Sequence, residues 1–363
     1  MKKKDLEEML DLSDDYQFNE EVSKKIKKGI NKNVNIRVLK ILLCLCIIIS
    51  GLWAGTSFMF KQFNYNPKNE KGITAGELDN ESLNEYADFK VLLQTFIGFN
   101  FPGLSFVSAK EEDNGGGNYK IYVNIQDMLD LTDMYGEYNL IWSIRHSKLG
   151  IEEGKNVSLG PVLGEFREED NGDPMAYKIS EEALQDVRDL PDSAYLSVSL
   201  SFNEIKNAKE FIEFINKYNS SYFSWAAVKS NYKNNVTSGM TLWQAEDYNL
   251  SEDTQKSYPS LYLPSIDKIT EDILLENYLS NLKLLIDHPD FLEVMNVCSM
   301  QSIDSYRIRY DEAKTSGIQF IGVKGWIKKT DLLKMIEKDG FKYIGNINDV
   351  KLTDILNNRV PSY

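Results

Sequence analysis

His146 and His288 are the only histidines in the chain, and imidazole is the side chain most often used as a zinc ligand or as a proton carrier near neutral pH. They lie in separate parts of the sequence and neither belongs to an HExxH pair, so a zinc hydrolase centre has no framework. His288 precedes Pro289 where a helix is expected to end, an ordinary structural position. Two acidic turns, Glu111 to Asn118 and Glu168 to Asp173, have the composition of calcium loops. Aligning Gly115 or Gly172 with the glycine that such a loop requires puts Lys110 or Arg167 at the first ligand position, and the closing glutamate is missing. The triplet Gly115 to Gly117 reads as a hairpin tip, and no GxSxG, GxxxxGK[ST] or dinucleotide fingerprint occurs. With 55 Asp and Glu against 41 Lys and Arg, carboxylate pairs are too common for spacing to single one out. No catalytic residue, metal ligand or cofactor site is assigned, and the chain is not expected to be an enzyme.

What the sequence does specify is a partition. Ile41 to Phe60 is free of formal charge, and at ~1.5 Å per residue its length matches a hydrocarbon core of about 30 Å. A buried globular helix would carry a polar stripe, and here only Ser50, Thr56 and Ser57 interrupt the run. Lys24, Lys25, Lys27, Lys28, Lys32, Arg37 and Lys40 precede it, against Lys61, Lys68 and Lys71 after it, which places the N-terminus in the cytoplasm. The forty residues in front are too many for a cleaved signal peptide. The expectation is an uncleaved single-pass anchor in the cell membrane, with an extracellular C-terminal region. Cys44 and Cys46 fall inside the apolar run, where packing and palmitoylation are both open readings. Cys298 stands alone beyond it, so no disulfide framework exists outside.

Residues 1–40 hold ten basic and eight acidic side chains, and residues 61–363 hold 31 and 47. So acidic an outer portion repels phosphate backbones and anionic lipid surfaces, and direct nucleic-acid binding is not expected. Inside, Leu6, Met9 and Leu10 form one helical series. Phe18, Val22, Ile26 and Ile30 form a second, with Asn19 as a cap and Glu20 and Glu21 at its positive end. Isolated helices this short are marginal in water. Their apolar faces must rest on membrane lipid, on each other, or on a partner.

Beyond the anchor, residues 61–80 are polar and broken by Asn66, Pro67 and Gly72, the signature of a juxtamembrane linker. A first outer subdomain over 81–190 is expected to be mainly β, with a helix from Leu83 to Phe96 and strands at Tyr119 to Ile125 and Leu140 to Ile144. Over 191–363 a strand, helix, strand pattern occurs twice. Tyr195 to Phe202 alternates apolar and serine residues, predicting a half-buried strand. A helix bearing Ala208, Phe211, Ile212 and Ile215 follows, and then a strand through Trp225. The second unit runs from Ile318 to Val323, through a helix capped by Thr330 and ended by Gly340, to Phe341 to Ile347. The fold class is α+β. Two such units in one antiparallel sheet with both helices on one face would make a ferredoxin-like subdomain.

LPDSAYLSVSLSFNEI (Leu190 to Ile205), SWAAVKS (Ser224 to Ser230), the stretch from Gly317 to Val350, and FNYNP (Phe63 to Pro67) after the apolar run together resemble the sigma factor regulators, membrane-bound anti-sigma factors. That resemblance implies a partner, an extracytoplasmic-function sigma factor held by the cytoplasmic segment and released when the outer region receives an envelope signal. Many anti-sigma factors carry a zinc-associated His and Cys cluster. Residues 1–40 have neither residue, so contact would fall to Phe18, Val22, Ile26 and Ile30 in a groove, with Asp11, Asp14, Asp15, Glu20 and Glu21 facing a basic surface. Two other readings stay open: a membrane-anchored outer binding module with no sigma partner, and an extracellular enzyme.

Overall fold

A computed structural model describes residues 23–25, 27–28, 38–51, 64–75, 86–127, 140–152, 181–232, 238–242, 248–299, 301–345 and 350–352. The chain divides into two compact units, Met1–Gln62 and Phe63–Tyr363.

In the first unit, residues 38–51 are helical. Nine large apolar side chains from Val38 to Ile49 are exposed, Leu39, Ile41, Ile47 and Ile49 to 60% or more. Because these positions go all the way round the helix, no polar face is left for water. Residues 52–60 of the predicted anchor lie outside the described residues. Among the described residues no helix is long and apolar enough to cross a membrane.

The second unit is α+β with two antiparallel sheets. Helix α1 (Ala87–Asn100) leads into a four-stranded meander, β1 (Leu104–Gly115), β2 (Asn118–Asp127), β3 (Leu140–Arg145) and β4 (Lys148–Glu152), paired in that order. The β1–β2 turn is the expected glycine tip, closed by Asp113 accepting from the Gly115 amide at 2.8 Å and by Asn118 donating to the Gly115 carbonyl at 3.0 Å. Register puts Ala109, Glu111, Ile121, Val123, Trp142 and Ile144 on one buried face of this sheet. Glu111 is the one acid in that set.

Helix α2 (Glu181–Asp189) precedes the second sheet, whose central strands are β5 (Ala194–Asn207) and β8 (Gln319–Lys328). Helix α3 (Ala208–Lys217) links β5 to β6 (Tyr222–Val228), which is flanked by the short β7 (Ser238–Thr241). Between β7 and β8 run α4 (Glu252–Ser257), α5 (Glu271–Asp287), α6 (Pro289–Ser299) and α7 (Ile303–Ser316); α8 (Lys329–Lys338), β9 (Phe341–Gly345) and β10 (Val350–Leu352) complete the unit. The strand order is β10-β5-β8-β6-β7, with β9 also pairing β5.

Asn207 starts α3 with a full capping box, its side chain accepting from the Glu210 amide while Glu210 accepts from the Asn207 amide. Such a box satisfies two otherwise unpaired helix donors. Thr330, expected to cap α8, lies within it instead: β8 runs directly into the helix and Lys328 takes the cap position without a side-chain bond. Gly340 does end α8, at φ +64°. The C-terminal ends of the two helices are tied where Lys217 of α3 and Tyr218 just after it bond Asp339, the residue after α8, Lys217 at 2.7 Å.

Leu196, Val198 and Leu200 are fully buried, and Phe211 of α3 stacks on Phe320 of β8 at 3.9 Å. The serine side of β5 was expected to face water. It is buried too, Ser197 to 5%, Ser199 to 0% and Ser201 to 1%. Register places Trp225 on that same face, where its indole N–H donates to the Gly98 carbonyl of α1 at 2.9 Å. Helix α1 thus meets this face at the β6–β7 edge of the sheet, and one apolar cluster contains residues of both sheets.

Candidate functional site

Phe18, Val22, Ile26 and Ile30 lie outside the described residues, as do the turn Glu168 to Asp173 and the acids proposed to face a basic partner. His146 lies in the β3–β4 turn at φ +51°. The structure instead makes a site of residues that composition assigns to a linker.

Residues 64–75 form a strap seated on the second unit. Asn66 caps a 3₁₀ turn, Pro67–Asn69, and Pro67 is buried. The Tyr65 amide donates to Ser147 Oγ at 2.7 Å, and Lys68 lies 5.2 Å over the Tyr86 ring. Glu70 meets His288 Nδ1 at 2.6 Å, both side chains largely buried. This partner gives His288 a role that its place before Pro289 did not reveal. Burial, with the Glu70 charge adding to it, pushes the Tyr65 phenol well above its ordinary range.

Gly72, at φ +88°, turns the strap in a conformation that side-chain-bearing residues rarely adopt. Its carbonyl accepts from Ser251 Oγ at 2.8 Å and Thr254 Oγ1 at 2.9 Å. Ile73 is buried to 2%. The Ser251 amide donates to the Ile73 carbonyl, and the Ala75 amide to the Asn249 carbonyl, at 2.9 and 2.8 Å. One carboxylate closes the arrangement. Asp88, in the first turn of α1, accepts from the Ile73 amide (3.2 Å), the Thr74 amide (2.7 Å) and the Thr74 hydroxyl (2.6 Å). The position suits a negative charge because the helix dipole is positive there. Hydrogen bonds to a charged group contribute roughly 1.5–3 kcal/mol each, which makes Asp88 the principal fastener.

Beside the strap sits an acid with an unusual setting. Glu111 projects from the apolar face of the first sheet with its side chain 4% exposed, and its nearest cation is Lys90 of α1 at 3.5 Å. Burial raises its pKa to about 7 despite the opposing pull of Lys90. Burial likewise pushes the neighbouring Tyr119 to about 12, with Asp113 adding to it.

Helix α1 joins this strap to a cleft. Gln94, Thr95 and Gly98, one to three turns beyond Asp88, line a cavity of about 570 Å³, counting its part open to solvent, together with residues of β1, β7 and α5. Among the described residues no group of three His, Cys, Asp or Glu side chains converges as a metal site.

No family model, no curated protein and no solved structure matches this chain.

Proposed function

We propose that the chain is a single-pass membrane anti-sigma factor. Its cytoplasmic segment holds an extracytoplasmic-function sigma factor, and its extracellular portion releases that factor when an envelope signal arrives. The observation that carries the reading is the helix over residues 38–51, which exposes apolar side chains all round. Each such side chain gains roughly 1.5–3 kcal/mol when removed from water, and a bilayer removes water from every side at once. The strap supports a signalling role. It begins four residues after the apolar run Ile41 to Phe60 ends and is fastened to the folded unit.

The sigma partner rests on the resemblance of Leu190 to Ile205, Ser224 to Ser230 and Gly317 to Val350 to sigma factor regulators. The ferredoxin-like reading of the second sheet draws support from the order β9-β5-β8-β6 and from the contact of α3 with Asp339. Phe18, Val22, Ile26 and Ile30 would be the sigma-contacting side chains, and no cofactor or catalysis is involved.

Changing Phe18 and Val22 together to Asp should abolish co-purification of a sigma factor while leaving the protein in the membrane fraction. Undiminished co-purification would remove the assignment. The second reading, an anchored outer binding module without a sigma partner, is favoured by the cleft beside α1; a pull-down with residues 1–40 that captures no sigma factor would select it.

A further inference from the structure

The cleft beside α1 has walls that select a chemistry. Phe99 and Phe106 are 3% and 1% exposed, Met240 and Leu261 are similarly buried, and among the described residues no charged side chain lines it. A charged guest would give up its hydration and find no counter-charge. Polar groups are nevertheless present, and their bonding has a direction.

Asn277 and Asn281 stand one turn apart on α5 and so share a face. Asn277 Nδ2 donates to the carbonyls of Ser260 (2.8 Å) and Leu261 (3.1 Å). Asn281 Nδ2 donates to the carbonyls of Leu261 (3.3 Å) and Asn277 (2.8 Å). All these acceptors are carbonyl oxygens, so the nitrogen of each amide must face them and the orientation is not interchangeable. What the pair can offer a guest is therefore Oδ1, an acceptor, twice. Thr95 and Ser105 add hydroxyls to the lining.

The walls are also preformed. The Gly98 carbonyl takes the Trp225 indole N–H and the Thr241 hydroxyl (3.2 Å), and a Cβ on Gly98 would fall 2.7 Å from Thr241 Oγ1. A side chain at position 98 would displace the Thr241 hydroxyl. Preorganised walls spare a guest the cost of ordering them.

We propose that this cleft binds a small uncharged molecule carrying amide N–H or hydroxyl donors on an apolar body, its donors meeting the Oδ1 atoms of Asn277 and Asn281. Helix α1 carries the cleft on one stretch and the strap's fastener, Asp88, at its start. The cleft's service as the receiver of the envelope signal rests on the regulator reading above; the binding itself does not.

Phenylacetamide and phenylacetate form a matched pair of probes, equal in size, of which only the amide is neutral and bears N–H donors. With the full-length chain in nanodiscs, ligand-observed NMR should show the amide binding at least about tenfold more tightly than the carboxylate, because the carboxylate finds no counter-charge in the lining and brings no donor to the Asn277 and Asn281 Oδ1 atoms. Thr95→Phe, which fills the cleft, and Asn281→Leu, which removes one acceptor at similar volume, should each weaken the amide about tenfold or more while near-ultraviolet circular dichroism stays unchanged. Two variants on different helices keep the test decisive if one fails to fold. Absence of amide binding at about 10 mM, equal binding of both probes, or binding unaltered by the folded variants would overturn the proposal. None of those results alters sigma co-purification, so the site and the regulator reading fail separately.

Discussion

Glu111 shows how one side chain can set a condition on the molecule. Its carboxyl is raised to about 7 by burial, whereas in the unfolded chain it titrates near 4.3. The folded state therefore holds a proton that the unfolded state has lost between those values. Stability from this group is complete below the lower value and is lost as pH rises through about 7. Glu111→Gln keeps the shape and abolishes the titration. Thermal melts should show the variant more stable than the parent at pH 8, by on the order of 1–3 kcal/mol, and the gap should close toward pH 5. An equal gap at both pH values would mean that Glu111 does not titrate in this range. The residue was invisible in the sequence because Glu111, Glu112 and Asp113 read alike until register puts the first on the Ile121 and Trp142 face and leaves Glu112 outside, paired with Lys110 at 3.1 Å.

Among the elements, the strap has the most specific requirement. Asp88→Ala would strand the amides of Ile73 and Thr74, and each buried donor left unsatisfied costs roughly 1–3 kcal/mol. Hydrogen exchange at residues 73–75 should accelerate by at least about tenfold, while amides in β5 and β8 keep their protection. Unchanged exchange would show that other bonds hold the strap. Both strand, helix, strand units could be read from the sequence, since Leu196, Val198 and Leu200 alternate and Phe211 and Ile215 repeat with helical period. The strap could not. Its bonds run from backbone groups to Asp88, Asn249, Ser251 and Thr254, and the polar residues that suggested a linker are those that make the turns. Strand β7 is four residues long, too short for periodicity to show, and α7 buries Tyr306, Arg309 and Ala313 rather than an apolar stripe. The serine face of β5 was misjudged because alternation of apolar residues and serine does not show whether a second layer packs on the serine side.

At the scale of the whole molecule the proposal is about compartments. Trypsin added to intact cells or right-side-out vesicles should degrade residues beyond the anchor and spare the first forty, as followed by epitope tags at each end. Protection of the C-terminal tag would reverse the topology, and recovery of the intact chain in the soluble fraction would end the membrane reading. The charge balance, 31 basic against 47 acidic residues beyond position 60, and the unbroken apolar run are the features from which this partition is proposed. The cleft had no such signal, because its polar atoms come from α1, β1, β7 and α5 and acquire a common direction only when packed.

Gly72 and Ile73 are bonded to Ser251 and Thr254, and this tie imposes an order on biogenesis. Asp88 follows the strap by some 15 residues, but Ser251 and Thr254, which hold the Gly72 carbonyl, are made some 180 residues later. Until then the strap has only part of its bonds. A product truncated before Ser251 would keep the Asp88 bonds yet lack the partners of Gly72, so the strap's full set of bonds waits on translation of the segment that carries Ser251 and Thr254.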